Sequence, residues 1–188
     1  QGYDMTKEAA VTKLMWALGK TNNQNETIIK QGGRENMKKL MDSINETVKR
    51  EGIDLIGFAP KSRFDGVRPE NNPFSIFPEG KTVIMVGKRI CRGSLRGVEE
   101  GTNFGDYNLF GNKWLEDEFL SLACYGLTNT LEDNGWEAVP IFPNPCELAP
   151  MGVSVAEGRP EPNVFPDFDF AAVACGLCEL GYNGLPLS

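Results

Sequence analysis

Residues 170–187 read FAAVACGLCELGYNGLPL, a small-residue apolar run that ends in a glycine turn. Ala171, Ala172, Ala174, Gly176 and Gly181 leave almost no side-chain bulk along one flank. Small residues admit a second backbone, or a large flat ligand, at close range. The run therefore predicts either a helix packed tightly on a sheet or one wall of a ligand pocket. Cys175 and Cys178 stand three apart, so a helix extending through both would place them on roughly one side. Gly181, Asn183 and Gly184 supply the conformations that stop a helix and turn the chain.

A chain of 188 residues forms one domain, or one domain with an arm. Its 24% charged and 40% apolar residues are ordinary for a globular protein. The net charge of −7 argues against binding a nucleic-acid backbone, which needs clustered Lys and Arg. No apolar run reaches the roughly 18 residues of a membrane span. The first residue is Gln and not Met, so a leader or tag is compatible with the sequence.

The chain contains no His. That excludes Ser–His and Cys–His catalysis and any His-ligated zinc. Cys91, Cys124, Cys146, Cys175 and Cys178 are odd in number and irregularly spaced, a poor disulfide framework. A reducing, cytoplasmic location follows as the expectation, with an exported mature chain as the alternative. Only Cys175 and Cys178 have metal-like spacing, and a conventional cluster needs four thiolates. Both read as buried small hydrophobes, and no metal ligands are assigned.

Val11, Leu14, Met15 and Leu18 predict a first amphipathic helix over 6–18. The polar, glycine-ended stretch TNNQNETIIKQGG at 21–33 reads as a linker. Residues 1–33 thus form an N-terminal helix and linker, and 34–188 the main domain. Met37, Leu40, Met41, Ile44 and Val48 stripe a second helix stopping near Gly52. Strands are predicted at Leu55–Phe58, Thr82–Val86 and Ala138–Phe142, with a long helix from Lys113 to Glu132 between the last two. The order suggests an α/β or α+β sandwich built round one sheet.

Residues 87–112 and 143–167 read as long irregular segments, which in a compact domain are usually functional. The first carries Arg89, Arg92, Arg96, Asp106 and Tyr107 among glycines. Phe104, Tyr107, Phe110 and Trp114 there are too much aromatic area for full solvent exposure. The second carries Asn144, Met151-Gly152-Val153 and six prolines, at 143, 145, 150, 160, 162 and 166.

Four pieces together resemble the cobalamin-dependent iron–sulfur reductases, the group of the epoxyqueuosine reductases and the respiratory reductive dehalogenases. They are Gly52-Ile53-Asp54-Leu55-Ile56-Gly57-Phe58-Ala59-Pro60, Phe77-Pro78-Glu79-Gly80-Lys81-Thr82-Val83-Ile84-Met85-Val86-Gly87-Lys88-Arg89, Gly105-Asp106-Tyr107 before a long helix, and the run A-A-x-x-x-G-L-x-E-L-G-x-N-G-L from Ala171. They occur in the family's order and span about residues 37 to 187. The resemblance implies a nitroreductase-like corrinoid-binding domain with an N-terminal helical arm. It implies that cobalamin carries the difficult chemistry while the protein binds, orients and supplies a proton. Tyr107 is the first candidate for that proton and Asp106 the second. The implied cofactor surface comprises Phe104, Gly105, Asn144, Met151, Gly152, Val153, Ala174, Gly176, Leu177, Gly181 and Asn183. The implied partners are a small-molecule substrate and a ferredoxin-like electron donor domain or subunit.

The chain departs from that pattern in places. Asn108 stands where the epoxyqueuosine reductases usually have His, and Tyr182 stands in a turn where the family usually has Arg or Lys. Tyr182 cannot stabilise an anion as a cation would, which weighs against dehalogenation. No run of 4Fe-4S cysteines follows before Ser188, so clusters are expected only from a further C-terminal domain or a partner. Two other readings stand beside this one. A non-catalytic binding subunit of a larger complex would keep the fold without the reaction, and a flavin-dependent reductase would share the nitroreductase-like fold.

Overall fold

The computed structural model describes residues 12–21, 23–141, 164–182 and 186–187, with side chains described for 35–141 and 164–182. It is an α+β arrangement of helices around a small antiparallel sheet. The main strands are β1 (Thr12–Thr21), β2 (Leu55–Pro60), β3 (Thr82–Lys88) and β4 (Trp136–Ile141), in spatial order β2-β3-β1-β4. Every pairing is antiparallel: Leu14 faces Val86, Ala17 faces Val139, and Gly57 faces Met85. Pro140 lies on the edge strand β4, where a residue without an N–H costs no inner ladder bond.

The N-terminal region corrects the sequence reading. Residues 12–21 form the inner strand β1, not a helix. The uninterrupted run Leu14 to Leu18 satisfies a helical and a strand period equally, so spacing alone could not separate them. The stretch read as a linker lies almost wholly in the helix α1 (Asn23–Arg50), so the proposed boundary at residue 33 falls inside one helix. Gly32 and Gly33 weaken a helix without ending it when the turns on both sides propagate.

The end of α1 is dictated locally. Gly52 takes φ +62°, the Ile53 amide donates to the Val48 carbonyl at 2.9 Å, and the Gly52 amide donates to that of Lys49 at 3.3 Å. This is a Schellman closure, with buried Ile53 in the same apolar cluster as Val48. Lys88, at the end of β3, donates to the Glu51 and Gly52 carbonyls at 2.6 Å each. A cation there satisfies carbonyls the helix leaves open and faces the negative end of its dipole.

Alternation along β3 divides the core. Val83 and Met85 face one side with Ala59, Phe64, Phe74, Phe77 and the helix α5 (Phe168–Ala174). Ile84 and Val86 face the other with Ile44 of α1 and Leu120, Ala123, Leu127 and Leu131 of the long helix. The long helix starts earlier than its spacing predicts. It runs from Gly105 through two π-helical stretches, Tyr107–Lys113 and Leu115–Leu120, into α4 (Ser121–Asp133). The segment 87–112, read as irregular, contains α3 (Arg92–Glu99) and the first of those stretches.

On the α5 side, residues 61–80 form short turns and the one-turn helix α2 (Pro73–Ile76). Phe64 meets Phe74 and Phe170 edge to face at 5.5 and 5.6 Å. Asp167 caps α5 by accepting from the Phe170 amide at 2.9 Å. Its own amide donates to the Asn71 carbonyl at 3.1 Å, and Phe165 bonds Glu70 at 2.7 Å, which ties the start of α5 to the turn at 69–71.

Candidate functional site

The candidate residues fall into two groups carried by different elements. The first is built around the start of the long helix. Asn103 Oδ1 accepts from the Gly105 amide at 2.8 Å, and Asn103 Nδ2 donates to Asp106 Oδ2 at 3.1 Å. Asn103 therefore caps the helix and clamps the Asp106 carboxylate over its positive end. Asn103 was not among the expected site residues. The signal for it is the spacing Asn103-x-x-Asp106, a capping-box pattern with shorter side chains.

Tyr107, the first π-helical residue, is half-buried. A Cβ added at Gly111 would lie 2.6 Å from the Tyr107 ring and 3.2 Å from Ile90, so the ring lies across its own helix where Gly111 leaves room. Among the described residues the Tyr107 hydroxyl makes no hydrogen bond. Phe104 is 63% exposed, and Gly105 and Asp106 are exposed beside it. π-Helical turns are rare and frequently occur at functional sites.

The arginines of this region are committed to neighbouring acids. Arg92 pairs with Glu99 at 2.7 Å, Arg96 with Glu100 at 2.8 Å, and Arg89 with Asp54 at 3.6 Å.

The second group lies at the end of α5. Ala171, Ala172 and Ala174 are buried against the sheet. The small flank of this helix thus serves close packing on β2 and β3. The helix ends at Ala174, not beyond Cys178, and Gly176 turns the chain at φ +74° with nothing near it. Cys178 is therefore outside the helix. The next residues form a two-strand ribbon, β5 (Glu179–Leu180) with β6 (Pro186–Leu187). Arg63 donates to the Ala174 carbonyl, capping the helix from a turn more than a hundred residues away. No local pattern in the sequence announces that contact.

Cys175 is buried, with its thiol pointing to the Val83 carbonyl at 3.8 Å. Burial pushes that thiol up to about 12, so it stays protonated and inert at neutral pH. Leu177 packs half-buried on the same core, and Gly181 is half-buried.

Among the described residues no hydrogen bond, ion pair or ring contact joins Phe104–Tyr107 to Ala174, Gly176, Leu177 or Gly181. Asn144, Met151, Gly152, Val153 and Asn183 lie outside the described residues. No cluster of three or more acidic or sulfur ligands is placed to hold a metal among the described residues. No described helix is long and apolar enough to cross a membrane. Comparison with protein-family models, with curated proteins and with solved structures gave no match.

Proposed function

We propose that this chain is the corrinoid-binding domain of an iron–sulfur-linked reductase of the epoxyqueuosine reductase and reductive dehalogenase type. The four ordered sequence pieces motivate that reading. The observation that carries it is Tyr107, half-buried at the start of a π-helix, its hydroxyl without a hydrogen bond among the described residues, and an exposed, Asn103-held carboxylate beside it.

The residues fit a corrinoid in part. A flat macrocycle needs open backbone and apolar edges, and Gly176 leaves such space next to half-buried Leu177, while Phe104 is exposed at the other group. The alanine flank of α5 does not contribute, because the sheet fills it. When bound, a reduced corrinoid supplies the electron-rich metal centre for the difficult step. Tyr107 delivers a proton from its hydroxyl, and Asp106 holds negative charge close by at the helix start. The electron donor is a ferredoxin-like domain or subunit, and the location is cytoplasmic.

Adding cobalamin to the purified chain should give a corrinoid spectrum that survives gel filtration. Tyr107→Phe should keep that spectrum and slow the reductive step by about 10²–10⁴-fold, the usual contribution of a positioned acid. A colourless chain refutes the cofactor. A coloured chain with undiminished Tyr107→Phe activity refutes the residue.

The sheet-filled alanine flank favours a second reading, a binding subunit that keeps the fold without turnover. Corrinoid-dependent turnover by the isolated chain with a low-potential reductant would reject it.

A further inference from the structure

The long helix buries one face and leaves apolar side chains exposed on another. Leu115, Leu120, Ala123, Cys124, Leu127 and Leu131 are buried in the core. Phe110, Trp114, Phe119, Leu122 and Tyr125 are exposed, Leu122 at 60% and Tyr125 at 64%. The exposed residues recur at intervals of four and five through the π-helical stretches, then three and three in α4. The π-helix closes its hydrogen bonds at five residues, so steps of four and five return to nearly the same side, whereas each step of three in the α-helix falls about 60° short of a turn. The stripe is therefore a band of exposed apolar residues that winds partly round the helix from Phe110 to Tyr125. Phe110 and Trp114 are locked edge to face at 5.0 Å, giving it a rigid aromatic end.

The charges along the same helix are acidic with one exception. Glu116, Asp117, Glu118, Glu132 and Asp133 lie on it with Asp106, and Lys113 is the single basic residue from 105 to 135. None of those acids forms an ion pair among the described residues, whereas the nearby arginines of 89–96 are all paired. Burial, and then repulsion from Asp117, raises the Glu116 carboxyl above its ordinary range.

We propose that this stripe docks a cationic amphipathic helix of another protein, whose apolar face covers Phe110 to Tyr125 and whose Lys or Arg residues meet the flanking acids. Apolar anchors supply the affinity of such a surface, and the uncompensated acids select the partner and steer its approach. A second copy of the chain is the poorer occupant, since it would bring together two molecules of charge −7. This inference does not depend on the corrinoid reading.

The test uses the full chain and two fluorescently labelled synthetic helices of identical leucine spacing, one with Lys and one with Glu on the polar face. The Lys helix should bind, more weakly as salt rises, and the Glu helix should not. The double variant Leu122→Ser/Tyr125→Ser changes only exposed positions and should keep its circular dichroism. It should weaken binding about tenfold or more, as expected for loss of a central apolar anchor. Asp117→Asn/Glu118→Gln should lower both the affinity and its salt dependence. Failure of the Lys helix to bind, equal binding by both helices, or unchanged binding by the Leu122/Tyr125 variant overturns the proposal. So does a salt-resistant dimer in sedimentation that the same variant dissolves, because the occupant is then a second copy.

Discussion

Gly57 sits in β2 directly beneath the end of α5. A Cβ there would lie 2.5 Å from the Cys175 carbonyl oxygen and 2.9 Å from Leu177 Cδ2 and Cγ. Leucine atoms can rotate aside, but the carbonyl belongs to the last turn of α5, whose Cys175 amide bonds Ala171 at 2.9 Å. Arg63 and the buried Cys175 thiol hold the same turn in place. Relief therefore requires lifting the end of α5 off the sheet. Overpacking of this kind costs roughly 1–3 kcal/mol, and a backbone obstacle puts Gly57→Ala at the upper end, about 2–3 kcal/mol. At roughly 2–4 °C per kcal/mol for a chain of this size, Tm should fall by about 4–12 °C. Gly93→Ala is the matched control. Gly93 lies in α3 with nothing within 4 Å of an added Cβ, and alanine in a helix is worth up to about 1 kcal/mol over glycine. Thermal and urea unfolding of both variants should give shifts of opposite sign. A Gly57→Ala protein within about 0.5 kcal/mol of the parent, the usual range of a surface change, would refute the seating of α5 on β2.

Three further outcomes follow from the same geometry. Lys88→Met removes two bonds to the Glu51 and Gly52 carbonyls just past α1 and should cost about 1 kcal/mol in urea unfolding; an unchanged midpoint would remove Lys88 as the cap. The folded state holds the Glu116 proton more tightly than the unfolded state, whose carboxyl titrates near 4.5, so ionised Glu116 opposes folding above its raised value. Glu116→Gln should raise Tm at neutral pH, and the gain should fade as pH falls through the raised value and vanish below 4.5; an equal gain in acid would disprove the cause. With an aromatic disulfide reagent and peptide mapping, exposed Cys91 should label in the folded protein while Cys175 labels only at the rate of unfolding; fast labelling of Cys175 would contradict its burial.

The strands of the main domain were legible because each is a short apolar run between turn residues. The predictions at 55–58, 82–86 and 138–142 fall within a few residues of β2, β3 and β4, although residue 142 is outside the described range. The helix stop at Gly52 was legible for the same local reason. β1 was not, because a run apolar at every position carries no period, and its strand partners lie about 70 and 120 residues away. At the candidate site, the sequence marked Asp106 and Tyr107 as a place of interest. It did not mark the Asn103 clamp, nor the π-helical winding, which no propensity encodes. The small residues of α5 pointed equally to a sheet and to a ligand, and the sheet occupies them. Arg63 on the Ala174 carbonyl is a purely tertiary contact and left no trace in local pattern.

The place of β1 in the sheet bears on the order in which the chain can assemble. The earliest described strand lies between β3 and β4, so it can pair with β3 once residues 82–88 are available, but its other edge stays open until residues 136–141 arrive. Before that, β2, β3 and β1 can form a three-stranded sheet whose β1 edge is open. Pairings so distant in sequence are slow to find and leave strand edges exposed while they form. Removing residues 12–21 would not trim an appendage. It would part β3 from β4 and leave both with unsatisfied ladders, a state inclined to recruit strands from other molecules.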